Sequence, residues 1–322
     1  MPWSDRNSLA AATAAALFAF ACSALAQSNR AIRMIVPFAP GGPVDTMTRL
    51  IAEEIGAERG PTIVVENHPG AGSVIGTELV ARAAADGNTL GVVSSSLVVM
   101  PHLRKLNYDS LKSFEPICVV ASFPPLIVVN SGSPYRSLTD LIEAARTHPG
   151  TLTLGTIGPA AASQITFEML KRSAGVDIVF VPFSGYAPAV QALLGGHIGA
   201  ALADLTSLQG ALKAGTVRAL ATTAPTRASA LPDVPTVIEA GYKDVAAELY
   251  GGVVAPARTP PATVARLIER FTTAVKAPKI VEKFAALGFS PGGQCGADFA
   301  SVLRKDDADY GRIIRDADIK LE

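Results

Sequence analysis

The stretch VPFAPGGPVDTMTRL, Val36 to Leu50, carries an apolar strand through Pro40, Gly41, Gly42 and Pro43 straight into a helix. Pro43 suits the first helical position, where a missing N–H costs nothing. Gly42 then falls at the cap and Asp45 at the third position. The unpaired N–H groups of the first turn and the helix dipole favour an anion there, by about 0.3–1 kcal/mol for the dipole alone. A nucleotide phosphate loop needs Lys and then Ser or Thr after its glycines, and Pro43 and Val44 stand there instead. The spacing predicts a seat for a small anion such as a carboxylate, held by backbone amides. A tight strand–helix turn capped by Asp45 is the competing reading.

Other strand ends offer small polar groups. Thr156 to Ser163 repeats the layout of the first loop, and Thr156, Gly158, Ala161 and Ser163 are its candidate contacts. Ser94, Ser95 and Ser96 end another strand, Ser184 lies in the turn Pro182 to Tyr186, and Asp204 precedes a further helix. Ligands of open α/β sheets bind beyond the carboxyl ends of strands. Each residue read singly is also an ordinary turn or cap. The cluster ENHPGAGSVIG, Glu66 to Gly76, has glycines spaced somewhat like a dinucleotide loop. The next strand ends in serines, not in the acid that would hold a ribose, so close helix–strand packing is expected there. No catalytic set is legible. There is no G-x-S-x-G elbow, the four histidines show no metal-ligand spacing, and a role for Asp45 and Asp204 as a carboxylate pair depends on a distance that sequence does not give. No cofactor is expected.

The elements that position these residues alternate between short apolar runs and helical patterns, which predicts an α/β fold with mostly parallel sheets. Strands are expected at Ile32–Val36, Thr62–Glu66, Thr89–Val93, Pro116–Val120, Leu126–Val129, Leu152–Gly155, Ile178–Val181, Gly199–Ala203, Val217–Ala221 and Tyr250–Ala255. Helices are expected near Val44–Glu58, Val74–Ala84, Leu138–Thr147, Ala161–Ala174, Ala187–Leu194, Leu205–Ala214, Pro261–Val275, Ile280–Leu287 and Ala297–Ala317. Phe114–Asn130 and Thr223–Ala255 look like crossovers. They divide the chain into a discontinuous domain, 27–125 with 226–322, and a middle domain, 126–225, with a cleft between.

The chain has 322 residues, 49% of them hydrophobic, and 28 basic residues balance 28 acidic ones. That permits two cores and excludes nucleic acid as the expected partner, since phosphate backbones demand clustered Lys and Arg. Arg6, an apolar run from Leu9 to Ala21, and Ala24-Leu25-Ala26 read as a signal peptide at 1–26, cleaved after Ala26. Export is therefore the expected reading. Cys22 raises lipidation as an alternative. Of the remaining cysteines, Cys118 lies in the apolar run PICVV and reads as a buried free thiol. An oxidising compartment would permit a bridge to Cys295, but the sequence does not show that the two meet.

Longer segments carry a resemblance. IRMIVPFAPGGPVDTMTRLIAEEIG, VVENHPGAGSVIGTELVARAAADGNTL, VPFSGYAPAVQALLGGHIGA, VRALATTAPTRASALPDVPTVIEAG and VVAPARTPPATVARL resemble, in order, the substrate-binding proteins of tripartite tricarboxylate transporters, the Bordetella uptake gene proteins. The resemblance covers nearly all of the chain after Ala31. It implies a two-domain periplasmic binding protein fold of type II, with a ligand cleft between the domains. It also implies a monomer that binds a small organic acid and meets integral membrane transporter subunits. The first loop matches at Pro40, Gly41, Gly42 and Asp45. The second departs from the family's Gly-x-Gly-Thr/Ser-Ser pattern: Gly158 and Ser163 are kept, but Ala160, Ala161 and Ala162 stand where Gly, Thr and Ser are common. Gln164 stands for a frequent His and Ser184 for a common Lys. A less polar acid than citrate or aspartate is therefore expected. An exported enzyme and a ligand-presenting sensor component remain as alternatives.

Overall fold

The computed structural model describes residues 31–320 apart from 159–160, 229, 246, 248 and 317–318. The signal peptide expected at 1–26, its cleavage after Ala26 and the lipidation question at Cys22 lie outside these residues.

The described strands form two sheets. The first contains β1 (Ile32–Val36), β2 (Ile63–Asn67), β3 (Thr89–Val93), β4 (Phe114–Phe123), β10 (Leu249–Pro256) and β11 (Ser290–Pro291), in the order β11-β4-β10-β3-β1-β2. The second contains β5 (Leu126–Asn130), β6 (Thr153–Ile157), β7 (Val179–Phe183), β8 (Ala200–Ala203) and β9 (Val217–Thr222), in the order β7-β6-β8-β5-β9. The helices are α1 (Pro43–Ala57), α2 (Val74–Ala81), α3 (Ser96–Val99), α4 (Leu138–Thr147), α5 (Ala162–Ala174), α6 (Tyr186–Leu194), α7 (Leu205–Lys213), α8 (Pro261–Lys276), α9 (Pro278–Ala286) and α10 (Ala297–Asp316).

Helices cover both faces of each sheet, so strand residues of either parity are buried. Met34 and Val36 pack with Met47 and Ile51 of α1 and Phe271 of α8. Ile35 faces the other way, towards Val80 of α2 and Phe299 of α10. In the second sheet Ile127, Leu154 and Leu202 share a core with Leu141 of α4 and Phe167 of α5. α1 buries Val44, Met47, Ile51 and Ile55, a stripe at helical spacing. α4 starts as its sequence indicates, with reciprocal bonds between Ser137 and Asp140.

The expectation of mostly parallel sheets is corrected. β1 pairs in parallel with β2 and β3, and β6 with β7 and β8. The remaining pairings, β10 with β3 and β4, β11 with β4, and β5 with β8 and β9, are antiparallel. The reason lies in the crossovers. A strand that enters a sheet from the other sheet starts at the shared gap and runs away from it, against the strands that end there. β5 and β10 both do so. Thr223 ties the two crossings together: its N–H donates to Pro125 O at 3.0 Å, its hydroxyl to Ala247 O at 2.8 Å, and its carbonyl accepts from Ala247 N–H at 2.8 Å. After β9 the chain stays with the second sheet, where Val237 and Val245 join the core.

The free-thiol reading of Cys118 is also corrected, because Cys118 and Cys295 form a disulfide. Beyond β11 the chain continues along β4, with Val119 N–H donating to Gln294 O and Gly296 N–H to Ile117 O, both at 2.9 Å. That alignment brings Cys295 beside Cys118. The segment Gly292-Gly293-Gln294 carries no strand pattern, so the approach is invisible in sequence. Replacing both cysteines by serine is expected to cost about 2–5 kcal/mol of stability. Denaturant unfolding of the oxidised protein beside the variant measures this; equal midpoints would exclude a stabilising bridge.

Candidate functional site

The first loop is built from behind by Asp45, whose side chain is only 3% exposed. Its carboxylate accepts from Gly41 N–H at 2.9 Å, from Arg49 Nε at 2.9 Å and from Asn67 Nδ2 at 2.8 Å. Asn67 also donates to Phe38 O at 3.0 Å and accepts from Arg49 at 2.8 Å. Burial works against this charge, but the bonds from Arg49, Gly41 and Asn67 outweigh it and hold the carboxyl below its ordinary pKa. The loop from Phe38 to Gly41 is thereby fixed to α1 and β2. Gly41 has φ +81°, which a side chain would strain. Gly42 caps α1, whose helical bonding starts with Thr46 N–H to Gly42 O. The N–H groups of Gly42, Val44 and Asp45 precede that bond and have no partner within the helix.

In front of this loop lies a cavity of about 420 Å³ between the two sheets. The first sheet's side gives it Phe38 to Val44 and Ser94, Ser95 and Ser96. The second gives Ile157, Ala161, Ala162, Ser163, Ser184 to Pro188, and Ser207. Phe123 and Leu249, at the crossovers, form part of its wall. Among the described residues no Lys, Arg, His, Asp or Glu lines it. Polarity comes from serines, from backbone, and from the N-termini of α1, α5 and α6.

Of the residues singled out in the sequence, Pro40, Gly41, Gly42, Pro43, Ser94, Ser95, Ser96, Ala161, Ser163 and Ser184 line this cavity. The other four do not. Asp45 supports the loop from behind. Thr156 is fully buried on the face of β6 opposite Ile157, since neighbours in a strand alternate. Gly158 continues the ladder, donating to Phe183 O at 3.2 Å, and a Cβ on it would meet the Phe180 ring at 2.7 Å. Asp204 is fully buried and caps α7, accepting from Ser207 N–H at 3.0 Å and from the Ser207 hydroxyl at 2.8 Å. Asp45 and Asp204 are therefore caps and supports on different lobes, not an exposed pair. In the Glu66–Gly76 cluster, a Cβ on Gly76 would lie 2.8 Å from His68 O, as close packing requires.

Sequence reasoning missed the apolar walls Phe38, Phe123, Ile157 and Leu249, and it missed Tyr186 and Ser207. Tyr186 closes the turn that contains Ser184 and opens α6, and Ser207 lies three residues after Asp204 in the first turn of α7, so the start of each helix is the available signal. Tyr186 is 4% exposed. Burial and the nearby Asp204 charge push its hydroxyl pKa up, against the opposing bond with Ser163, so it stays a neutral phenol.

Residues 47–319 match the family described as tripartite tricarboxylate transporter family receptor. Protein BugT of Bordetella pertussis is 34% identical over 265 residues, spanning 81% of this chain and 81% of BugT. The structure of periplasmic binding protein BugD aligns at 31% identity and a TM-score of 0.83, covering 91% of this chain and 99% of BugD. R. palustris Rpa4515 with adipate aligns at 29% identity and a TM-score of 0.85, covering 91% and 99%. The chain thus belongs to the tripartite tricarboxylate transporter receptors, with the Bordetella uptake gene proteins, and has their two-domain type II binding-protein fold.

Proposed function

We propose that the chain is a periplasmic solute-binding protein, not an enzyme. It captures a small organic acid by domain closure and delivers it to integral membrane subunits of a tripartite tricarboxylate-type transporter. The observation that carries this reading is the cavity between the two sheets, ringed by helix N-termini and, among the described residues, lined by no Lys, Arg, His, Asp or Glu. The adipate in Rpa4515 supports a carboxylate as the recognised group. The lobes divide at 123–126 and near 247–249, because 235–245 pack with the second sheet.

A micromolar affinity needs about −8 kcal/mol. Hydrogen bonds to a charged group contribute about 1.5–3 kcal/mol each. Four or five, from backbone amides and serines of both lobes, reach that figure after the cost of ordering the ligand. Exclusion of water on closure strengthens them.

Native mass spectrometry of the protein isolated from its exporting cell should reveal a retained organic acid. A thermal-shift panel of carboxylates should raise its melting temperature; a panel with no shift at all would sink the binding reading. Pull-down of membrane partners with and without the acid tests delivery.

Gly42→Val tests the cradle. A Cβ there meets only Ala39 O at 3.7 Å, so the fold should persist. Affinity for the retained acid should fall about tenfold or more, roughly 1.4 kcal/mol in calorimetry. Unchanged affinity would remove the first loop from the site.

Asp45→Asn should instead cost stability, about 1–3 kcal/mol, by breaking the bonds from Arg49 and Gly41. The parent's advantage should be full above the unfolded carboxyl's value of 3.8 and fade as pH falls below it, since the folded pKa is lowered. Melting curves of both proteins between acid and neutral pH measure this. An advantage that grew in acid would contradict the assignment.

A further inference from the structure

We infer that the ligand is singly charged: a monocarboxylate with an apolar body, selected against di- and tricarboxylates. This rests on the carboxylate-binding reading above and adds the charge and shape of the ligand.

The first argument is charge balance. A buried carboxylate needs compensation, and the cavity wall supplies no cationic side chain among the described residues. The positive field comes from α1, α5 and α6, whose N-termini enter the wall at Gly42, Ala161 and Gly185. Each helix end is equivalent to about half a positive charge. Three of them answer one carboxylate and fall well short of a tricarboxylate.

The second argument is the sign of the charges just behind the wall. Behind the first loop, Asp45 is neutralised by Arg49 at 2.9 Å. Behind the second lobe's wall, Asp204 has no cation within ion-pair distance among the described residues. Its field already opposes ionisation of Tyr186, which lines the cavity. It would oppose a second carboxylate at Tyr186 and Ser207 in the same way. Asp204 also caps α7, so that helix end is already answered.

The third argument is the distribution of donors. The Ser207 hydroxyl is committed to Asp204 at 2.8 Å, and the Ser163 hydroxyl bonds Ile157 O at 3.4 Å. On the first lobe Ser95, 1% exposed, keeps a hydroxyl without a well-formed hydrogen bond, with Tyr310 only a loosely placed neighbour. Ser95 lines the same cavity as the α1 cradle, and on the second lobe the N–H groups that open α5 and α6 and the Ser184 hydroxyl are the remaining donors. Beside them lie Ala161, Ala162 and Ile157. The arrangement binds one anionic head at the α1 cradle, within the field of the α5 and α6 N-termini across the gap, and an apolar body against the remaining wall. Specificity then arises from leaving the second charge of a diacid unpaired.

Calorimetry on the mature chain with acids paired by carbon frame tests this: hexanoate against adipate, octanoate against suberate, cyclohexanecarboxylate and benzoate against their dicarboxylates, and citrate alone. Some monoacid should bind about tenfold or more tighter than its paired diacid and than citrate. A diacid or citrate binding equally well or better overturns the inference and leaves the carboxylate-binding reading standing. Binding of no acid overturns both. Ser184→Lys, on the exposed rim of the second lobe, should shift the diacid-to-monoacid ratio about fivefold or more towards the diacid. Asp204→Asn, which keeps an N-capping side chain, should shift the ratio the same way. A ratio unmoved in every variant that folds overturns the charge argument.

Discussion

Thr223 sits where three chain segments meet, and its bonds to Pro125 and Ala247 join the two crossings between the sheets. Its hydroxyl is buried and turns both crossings into one hydrogen-bonded unit. The unit is extended on one side by the pairing of β4 with β10 and on the other by β5 with β9. With the crossings joined, the carboxyl ends of β1 and β3 and those of β6 and β7 open on a single gap. The loops that follow those strands then have nowhere else to project. The reversal of β5 and β10 follows from the same constraint.

The gap handles charge in two layers. The inner layer is backbone, serine and apolar wall; the outer layer holds two buried carboxylates, Asp45, which bonds the loop before α1 at Gly41, and Asp204, which bonds the first turn of α7. Placing carboxylates behind the wall shapes the loops without placing a negative charge in the cavity. Only Asp45 also has a cation, Arg49, half exposed at the surface. The two lobes therefore share one construction and differ in residual charge.

The fold was largely legible because its signals were local. Leu138–Thr147 and Ile32–Val36 appear with the bounds that their caps and apolar runs indicate. β4 proved longer than PICVV indicates because Phe114, Glu115 and Ala121 to Phe123 complete its pairing with β10, a contact between residues far apart in sequence. The same separation hid the antiparallel pairings and the partner of Cys118. In the candidate site, glycine and serine turns mark strand ends that line the cavity. They do not tell which side of a strand faces the gap, and it is Ile157, not its neighbour Thr156, that lines the cavity. Side chains such as Phe123 and Leu249 reach the cavity only because two crossings bring them together.

An apolar ligand body also bears on how such a cleft would be held shut. Driving an open–closed equilibrium from 1:99 to 99:1 needs about 5.5 kcal/mol of preference for the closed form. At about 25 cal/mol per Å² that is roughly 220 Å² of apolar surface removed from water. Ala161, Ala162 and Ile157 on one lobe and Phe38 and Val44 on the other are the surfaces available to contribute it, together with the ligand's own. Hydrogen bonds from the first lobe form before closure and after it alike, so they add to this preference only by the strengthening that excluding water brings. Contacts made only by the second lobe add to it in full, and there the polar donors are few. A carboxylate would thus fix the ligand's place in the first lobe, while its hydrocarbon would close the second lobe over it.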